Sequence, residues 1–238
     1  STTLYGAINY LNKDDVNILT AEDPVEYNVS GVGQVQMKEE IGLTFAAALR
    51  SFLRQDPEII LVGEIRDGET ADIATKAALT GHLVLSTLHT NSAVGAITRL
   101  INMGLPNYLV SNALTCVVAQ RLIRTICPKC AQDLPQSAVD EFRGHPMFSQ
   151  LLGAKLRHGA GCTHCNNTGF SSRRAVHEVL NVDANLKALI NKEASELDMV
   201  NAARERKFQT MFERGLDFVR SGETSFDELL RSIPLESS

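Results

Sequence analysis

The 238-residue sequence carries 23 Lys and Arg against 28 Asp and Glu, a formal charge of −5, with 44% hydrophobic and 21% charged content. A chain of this length buries a core without disulfides, and its acidic balance argues against direct nucleic-acid binding, because phosphate contact depends on clustered cations. No apolar run approaches the roughly 18 residues of a membrane span, and the first residues lack the parts of a secretory signal, so the expected location is cytoplasmic.

Leu4, Ile8 and Leu11 recur at helical spacing, so a helix is under way from the first turn, with no lead-in strand before it. Residues 16–20 (VNILT) form a short apolar run that stops before Pro24 in AEDPVEY. Gly31, Gly33 and Gly42 among alternating Val and Gln suggest a short hairpin or an irregular loop over residues 29–43. Thr44 reads as the cap of a helix with Phe45, Leu49, Phe52 and Leu53 on one face. EIILVGE is a continuous apolar run of strand length, as a strand covered on both faces requires. A helix over about 69–79, a strand HLVLSTL and a helix over about 93–103 ending at Gly104 continue the alternation. Strands alternating with helices of this length predict an α/β fold with a doubly wound, mostly parallel sheet, whose ligands sit beyond the carboxyl ends of the strands.

Three of those ends carry polar chemistry: Glu22, Asp23 and Glu26 after the first strand, Glu64, Arg66 and Asp67 after the second, and His89 with Thr87 and Thr90 after the third. Carboxylates, a guanidinium and an imidazole in one crevice are the parts of a phosphoryl-transfer site, where water and developing charge need partners. Acidic residues after strands also serve simply as helix caps.

The texture changes at Ile126. Cys127 and Cys130 form one C-x-x-C pair, and Cys162 and Cys165 form a second after 31 intervening residues. Two such pairs present four thiolates in a tetrahedron, a closed structural zinc site in a reducing compartment. His164 lies inside the second pair and reads as a solvated loop residue, and Cys116, in the apolar ALTCVVAQRL, reads as a buried small hydrophobe. From Ala184 onward, NLKALINKEAS, ELDMVNAARERK, TMFERGLDFVRSG and SFDELLRSI each carry helical spacing, which predicts a small helical bundle.

The segments TAEDPVEY, LRQDPEIILVGEIRDGETADIA, ALTGHLVLSTLHTNSA and QRLIRTICPKC, with the second C-x-x-C pair, resemble the hexameric ATPases of type II secretion and type IV pilus assembly over essentially the whole chain. The resemblance implies a RecA-like P-loop NTPase core in residues 1–126, a tetracysteine zinc-binding subdomain in 127–180 and a C-terminal helical region in 181–238. It also implies ATP, magnesium and zinc as cofactors, a homo-hexamer, and an inner-membrane platform protein as partner, with peripheral placement at the inner membrane through partners. STTLY directly follows a glycine-rich loop ending in Gly-Lys in that family, so the resemblance makes Ser1 the hydroxyl residue of a Walker A motif whose remainder is absent here, and Thr2 follows it in the nucleotide-binding set.

Carried over position by position, Glu26 resembles the carboxylate that orients or deprotonates the attacking water. Glu64 resembles the Walker B glutamate acting on magnesium or its water shell, and Gly63 stands where many nucleotidases carry Asp. His82 and His89 match the family's His box, with His89 placed to sense the γ-phosphate. Asp23 and Arg66 belong to the same signatures, and Arg66 is left open between nucleotide, a neighbouring subunit and an ion pair with Asp67. Glu58 replaces the family's usual Asp, and GFSSRRAVHEVL departs from its usual Gly-Arg-Thr-Gly segment. The four cysteines point to the secretion and pilus-extension branch. The alternative is a catalytically silent, zinc-stabilised module that binds partners.

Overall fold

The computed structural model describes residues 1–233, which fall into two compact units. The first comprises Ser1–Cys116 with Asn181–Met199, and the second Val117–Leu180 with Val200 onward. Among the described residues no helix is long and apolar enough to cross a membrane.

The first unit is built on four parallel strands, β1 (Ile18–Glu22), β2 (Val32–Gln36), β3 (Ile59–Val62) and β4 (Leu83–Ser86), in the order β2-β1-β3-β4. Ile18 lies beside Ile59 and Ile59 beside Leu83, so residues of like parity share a face across the sheet. Helix α1 (Thr2–Leu11) covers one face, where Ile8 packs with Ile18, Ile59 and Leu61 and with the partly buried Leu4, Leu11 and Leu85. β3 is buried at all four positions, as its unbroken apolar run requires of a central strand. β4 lies at the edge of the sheet, and its first residue, Leu83, is exposed.

Each helix that follows a strand in this unit opens on a side-chain cap. Thr44 accepts from the Ala47 N–H (3.2 Å) before α2 (Phe45–Phe52), Asp67 from the Thr70 N–H (2.8 Å) before α3 (Gly68–Leu79), and Ser92 from the Gly95 N–H (3.1 Å) before α4 (Ala93–Asn102). The hairpin-or-loop reading of residues 29–43 gives way to an outer strand: β2 runs parallel to β1, its residues 23–31 returning without a helix. Only Lys38 and Leu43 then bridge antiparallel, around a turn closed by Gly42 at φ 79°.

A further helix, α5 (Asn107–Ala113), is not evident in the sequence pattern. It packs on α3 and on α7 (Ala184–Asn191), and the fully buried Ser111 donates to Asn191 Oδ1 (3.0 Å).

In the second unit the long strands β5 (Cys116–Ile126) and β8 (Phe170–Asn181) pair as one ribbon, and β6 (Ala131–Asp133) pairs antiparallel with β7 (Arg157–Gly159) as another. Helix α6 (Gln136–Glu141) and a pair of 3-10 turns fill the segment between them. Helix α8 (Glu196–Arg204) leads to α9 (Met211–Arg220) and α10 (Phe226–Ser232). Ile123, Leu151, Val176, Phe212, Leu216, Val219 and Leu229 form the core. Gly215 lets α9 and α10 close on each other, because a Cβ there would lie 2.2 Å from Leu229 Cδ1.

Beneath α10, the Glu228 side chain is fully buried and accepts from Arg124 Nε (2.9 Å), Arg124 Nη2 (2.7 Å), Arg231 and the Ser232 hydroxyl. The four C-terminal helical segments read from the sequence are all present. α7 groups with the first unit and α9 and α10 with the second. Cys116, expected to be buried, is exposed at the start of β5, because a two-stranded ribbon covers its residues only in part.

Candidate functional site

The carboxyl ends of β1, β3 and β4 lie in register, and backbone bonds hold the segments that leave them. Gly63 N–H donates to Ala21 O (2.8 Å), Ile65 N–H donates to Thr87 O (3.0 Å), and the Thr87 hydroxyl donates to Gly63 O (2.6 Å). A side chain at Gly63 would be tight against the neighbouring strand: a Cβ would stand 3.2 Å from Ala21 O and 3.4 Å from Glu22 Cα.

This frame delivers four of the charged residues to one place. Glu64 takes Arg66 Nη2 at 2.5 Å on one carboxylate oxygen and His89 Nε2 at 3.1 Å on the other. Arg66 also approaches Asp23, at 4.0 Å, so the carboxylates it meets here are those of Glu64 and Asp23. Asp67 instead caps α3, so among these acids the helix-cap reading applies to Asp67. The Arg66 guanidinium, and then His89, hold the Glu64 carboxyl below the usual carboxylate range against its partial burial. His89 is 87% exposed and Glu64 14%, so the imidazole projects into solvent from a carboxylate that is nearly enclosed.

The same end of the sheet holds a second contact. The Ser1 hydroxyl donates to Glu26 Oε1 (3.1 Å), which ties the start of α1, with Thr2 as its first residue, to the loop that follows β1. Asp23 and Glu26 share that loop, so both groups of residues line one rim. His82 is not brought to it. His82 precedes β4 and its Nδ1 lies 3.0 Å from Ala77 O at the end of α3, while the four residues of β4, about 13 Å of strand, separate it from the His89 end.

Three residues that the motif reading passed over organise the rim from beneath. The buried Tyr5 donates to Glu22, the Thr20 hydroxyl donates to the same carboxylate, and Gln34 Nε2 donates to it at 3.1 Å. The signal for Gln34 is the alternation in VGQVQ, which sets it on the α1 face of the sheet.

The second unit holds a separate site. Sγ of Cys127 lies 3.9 Å from that of Cys162, Cys130 3.8 Å from Cys165, and Cys162 3.7 Å from Cys165. An ion bonded to four sulfurs at about 2.3 Å requires tetrahedron edges of about 3.8 Å, so the four thiols fit zinc. Each pair sits on a turn: Cys130 N–H donates to Cys127 O and Cys165 N–H to Cys162 O, both at 3.2 Å. Burial, and then the neighbouring thiols, push the Cys130 thiol up to about 12, whereas at Cys165 burial is overcome by hydrogen bonds from the Cys162 and Gly169 backbone and from the neighbouring thiols, which bring it down to about 6. His164 is exposed and outside this group, which consists of the four cysteines alone among the described residues.

Comparison with known proteins places both sites in context. The family model described as "Type II/IV secretion system protein" matches residues 1–231. Among curated relatives, the type II secretion system ATPase E of Vibrio cholerae is 47% identical over 97% of the chain and 45% of its own length. The type IV pilus assembly ATPase PilB of Myxococcus xanthus is 46% identical over 97% of the chain and 41% of its own length. The chain thus spans a little under half of each of these relatives. Among solved structures, the pilus retraction motor PilT with bound ADP aligns with a TM-score of 0.71 at 27% identity, covering 98% of this chain and 57% of that one.

Proposed function

The chain belongs to the type II/IV secretion system protein family, and from that premise we propose that the protein it forms part of is a homo-hexameric ATPase that powers protein secretion or pilus assembly. The single observation that carries this reading is Glu64, a nearly enclosed carboxylate held between Arg66 and His89 at the carboxyl end of a central parallel strand. A silent binding module has no need of a carboxylate so placed.

The roles follow from position. Ser1 and Thr2 open α1, and with Glu64 would hold magnesium and its water shell, which supplies charge neutralisation at the phosphates. Glu26, exposed on the rim, orients and deprotonates the attacking water, and the solvent-facing His89 meets the terminal phosphate. Arg66 holds Glu64 ionised and faces Asp23 across the rim, and His82, at the far end of β4, takes no part at the rim. Zinc at Cys127, Cys130, Cys162 and Cys165 would serve folding within residues 127–180. Work at the cytoplasmic face of the inner membrane, against a platform protein there, completes the proposal.

The test joins the chain to the preceding phosphate loop and amino-terminal domain and measures ATP hydrolysis with and without Glu64→Gln. A loss of roughly 100-fold or more in kcat is expected. Equal rates would overturn the assignment.

A further inference from the structure

Glu26 sits on a loop, and a loop is a poor platform for a group that must meet a water molecule to within a fraction of an ångström. The structure shows how this loop is held. Glu26 N–H donates to the Tyr5 hydroxyl (3.1 Å), Gln34 Nε2 donates to Tyr27 O (3.2 Å), and Val29 N–H donates to Gln34 Oε1 (2.7 Å). Three backbone groups within four residues are therefore fastened to two side chains, Tyr5 on α1 and Gln34 on β2.

Both side chains rest on one buried carboxylate. Tyr5 and Glu22 are each 5% exposed, and the Tyr5 hydroxyl donates to Glu22 while it accepts from Glu26. Gln34 donates to the other oxygen of Glu22, which Thr20 also reaches. Burial, and then the Glu22 hydrogen bond, push the Tyr5 phenol above its usual range and keep it a donor. The Tyr27 ring lies against the Tyr5 ring with centroids 4.3 Å apart, which adds an apolar clamp to the polar one. The carboxylate of Glu26 stays exposed, with Ser1 at hand. The backbone is thus fixed and the acid is left free to turn toward solvent.

We infer that Tyr5, Glu22 and Gln34 are positioning residues that lock the Glu26 loop to the first turns of α1, so that the acid keeps a set distance from the end of the helix where phosphate would lie. The inference rests on the reading of Glu26 as the group that activates water. Tyr5 and Glu22 are buried and Gln34 is half-buried beneath the loop, so their loss alters turnover and leaves nucleotide affinity in place.

The experiment uses the full-length hexamer and compares Tyr5→Phe, Gln34→Met, Glu26→Gln and the Tyr5→Phe/Glu26→Gln double variant. Tyr5→Phe removes one hydroxyl from an unchanged ring. Its kcat is expected to fall roughly 10- to 100-fold, with KM for ATP within about twofold. The double variant is expected to be no slower than Glu26→Gln alone, because a residue that acts through Glu26 has nothing left to position. Amide exchange reads the same lock directly: Glu26 N–H should exchange faster in Tyr5→Phe, with the amides of β1 and β3 unchanged. Gln34→Met tests the lock from β2, with every residue of α1 unchanged, and should move kcat in the same direction. Wild-type kcat in Tyr5→Phe and Gln34→Met, beside an inactive Glu26→Gln, would overturn the inference and leave the ATPase reading standing. Strictly multiplicative losses in the double variant would also overturn it. Full activity in Glu26→Gln would remove both the inference and the role of Glu26 beneath it.

Discussion

Two carboxylates, one partly and one fully buried, show how the same residue type is put to different use. Glu64 is held ionised at a solvent-facing rim, whereas Glu228 is sealed among Arg124, Arg231 and Ser232. Burial opposes the charge on Glu228, and the hydrogen bonds from Arg124, with those from Arg231, overcome it and bring its pKa to about 2. The folded value lies below the unfolded one near 4.5, so its stabilisation is complete above that pH and disappears as pH falls toward 2. Glu228→Gln should therefore cost about 3 kcal/mol in denaturant unfolding at pH 7, and the gap to the wild type should close by about pH 2. A gap that persists in acid would show that packing, and not the ion pair, carries the effect. At this scale the sequence is legible where a residue's placement follows from a strand end or a cysteine spacing, as for Glu64, His89 and Cys162. Tyr5 gives no such signal, and Gln34 only the alternation of its strand, because their contacts depend on which residues of distant segments share one face of the sheet. The burial expected for Cys116 failed for a related reason: apolar neighbours in sequence do not show how thinly a ribbon is covered.

Elements were readable wherever local chemistry sets a boundary. Thr44, Gly104 and the apolar run in β3 mark their segments without tertiary help. β2 was misjudged because Gly and Gln alternation suits a turn as well as an edge strand, and only pairing with β1 decides. The long strands β5 and β8 escaped notice because Arg, Ser and Thr interrupt their apolar pattern. In the tetracysteine segment the deciding feature is a crossing of two glycines: a Cβ on Gly159 would stand 2.0 Å from Gly169 O, and Gly169 holds φ +77°. Gly159→Ala is expected to force β7 away from that turn and to lower retained zinc below one ion per chain after dialysis, measured by elemental analysis. Full retention would mean that the turn carrying Gly169 moves without disturbing Cys162 and Cys165.

At the scale of the molecule, the two sites draw on different sources of stability. The sheet of the first unit is sealed by apolar burial beneath a helix, whereas residues 127–165 give Phe148, Leu151 and Leu156 to the core of the second unit and otherwise hold a short two-stranded ribbon and turns around the cysteines. Chelation should therefore make residues 127–165 sensitive to protease while the segments of the parallel sheet remain protected, read by mass spectrometry of the fragments. Unchanged protection of 127–165 after metal removal would count against a folding role for zinc. The overall class was legible because alternating strands and helices leave few alternatives.

The outer side of β4 has a practical consequence. No strand pairs with it among the described residues, its sequence is LVLS, and neither a proline nor a lysine guards it. Such a margin is a template for whatever extended backbone comes near, including the same margin of another molecule. In isolation the chain should show association that grows with concentration in light scattering, and Val84→Lys should suppress it. Handling this portion of the protein alone is then a question of guarding one seam, and a short peptide of matching alternation is a rational additive for keeping it dispersed.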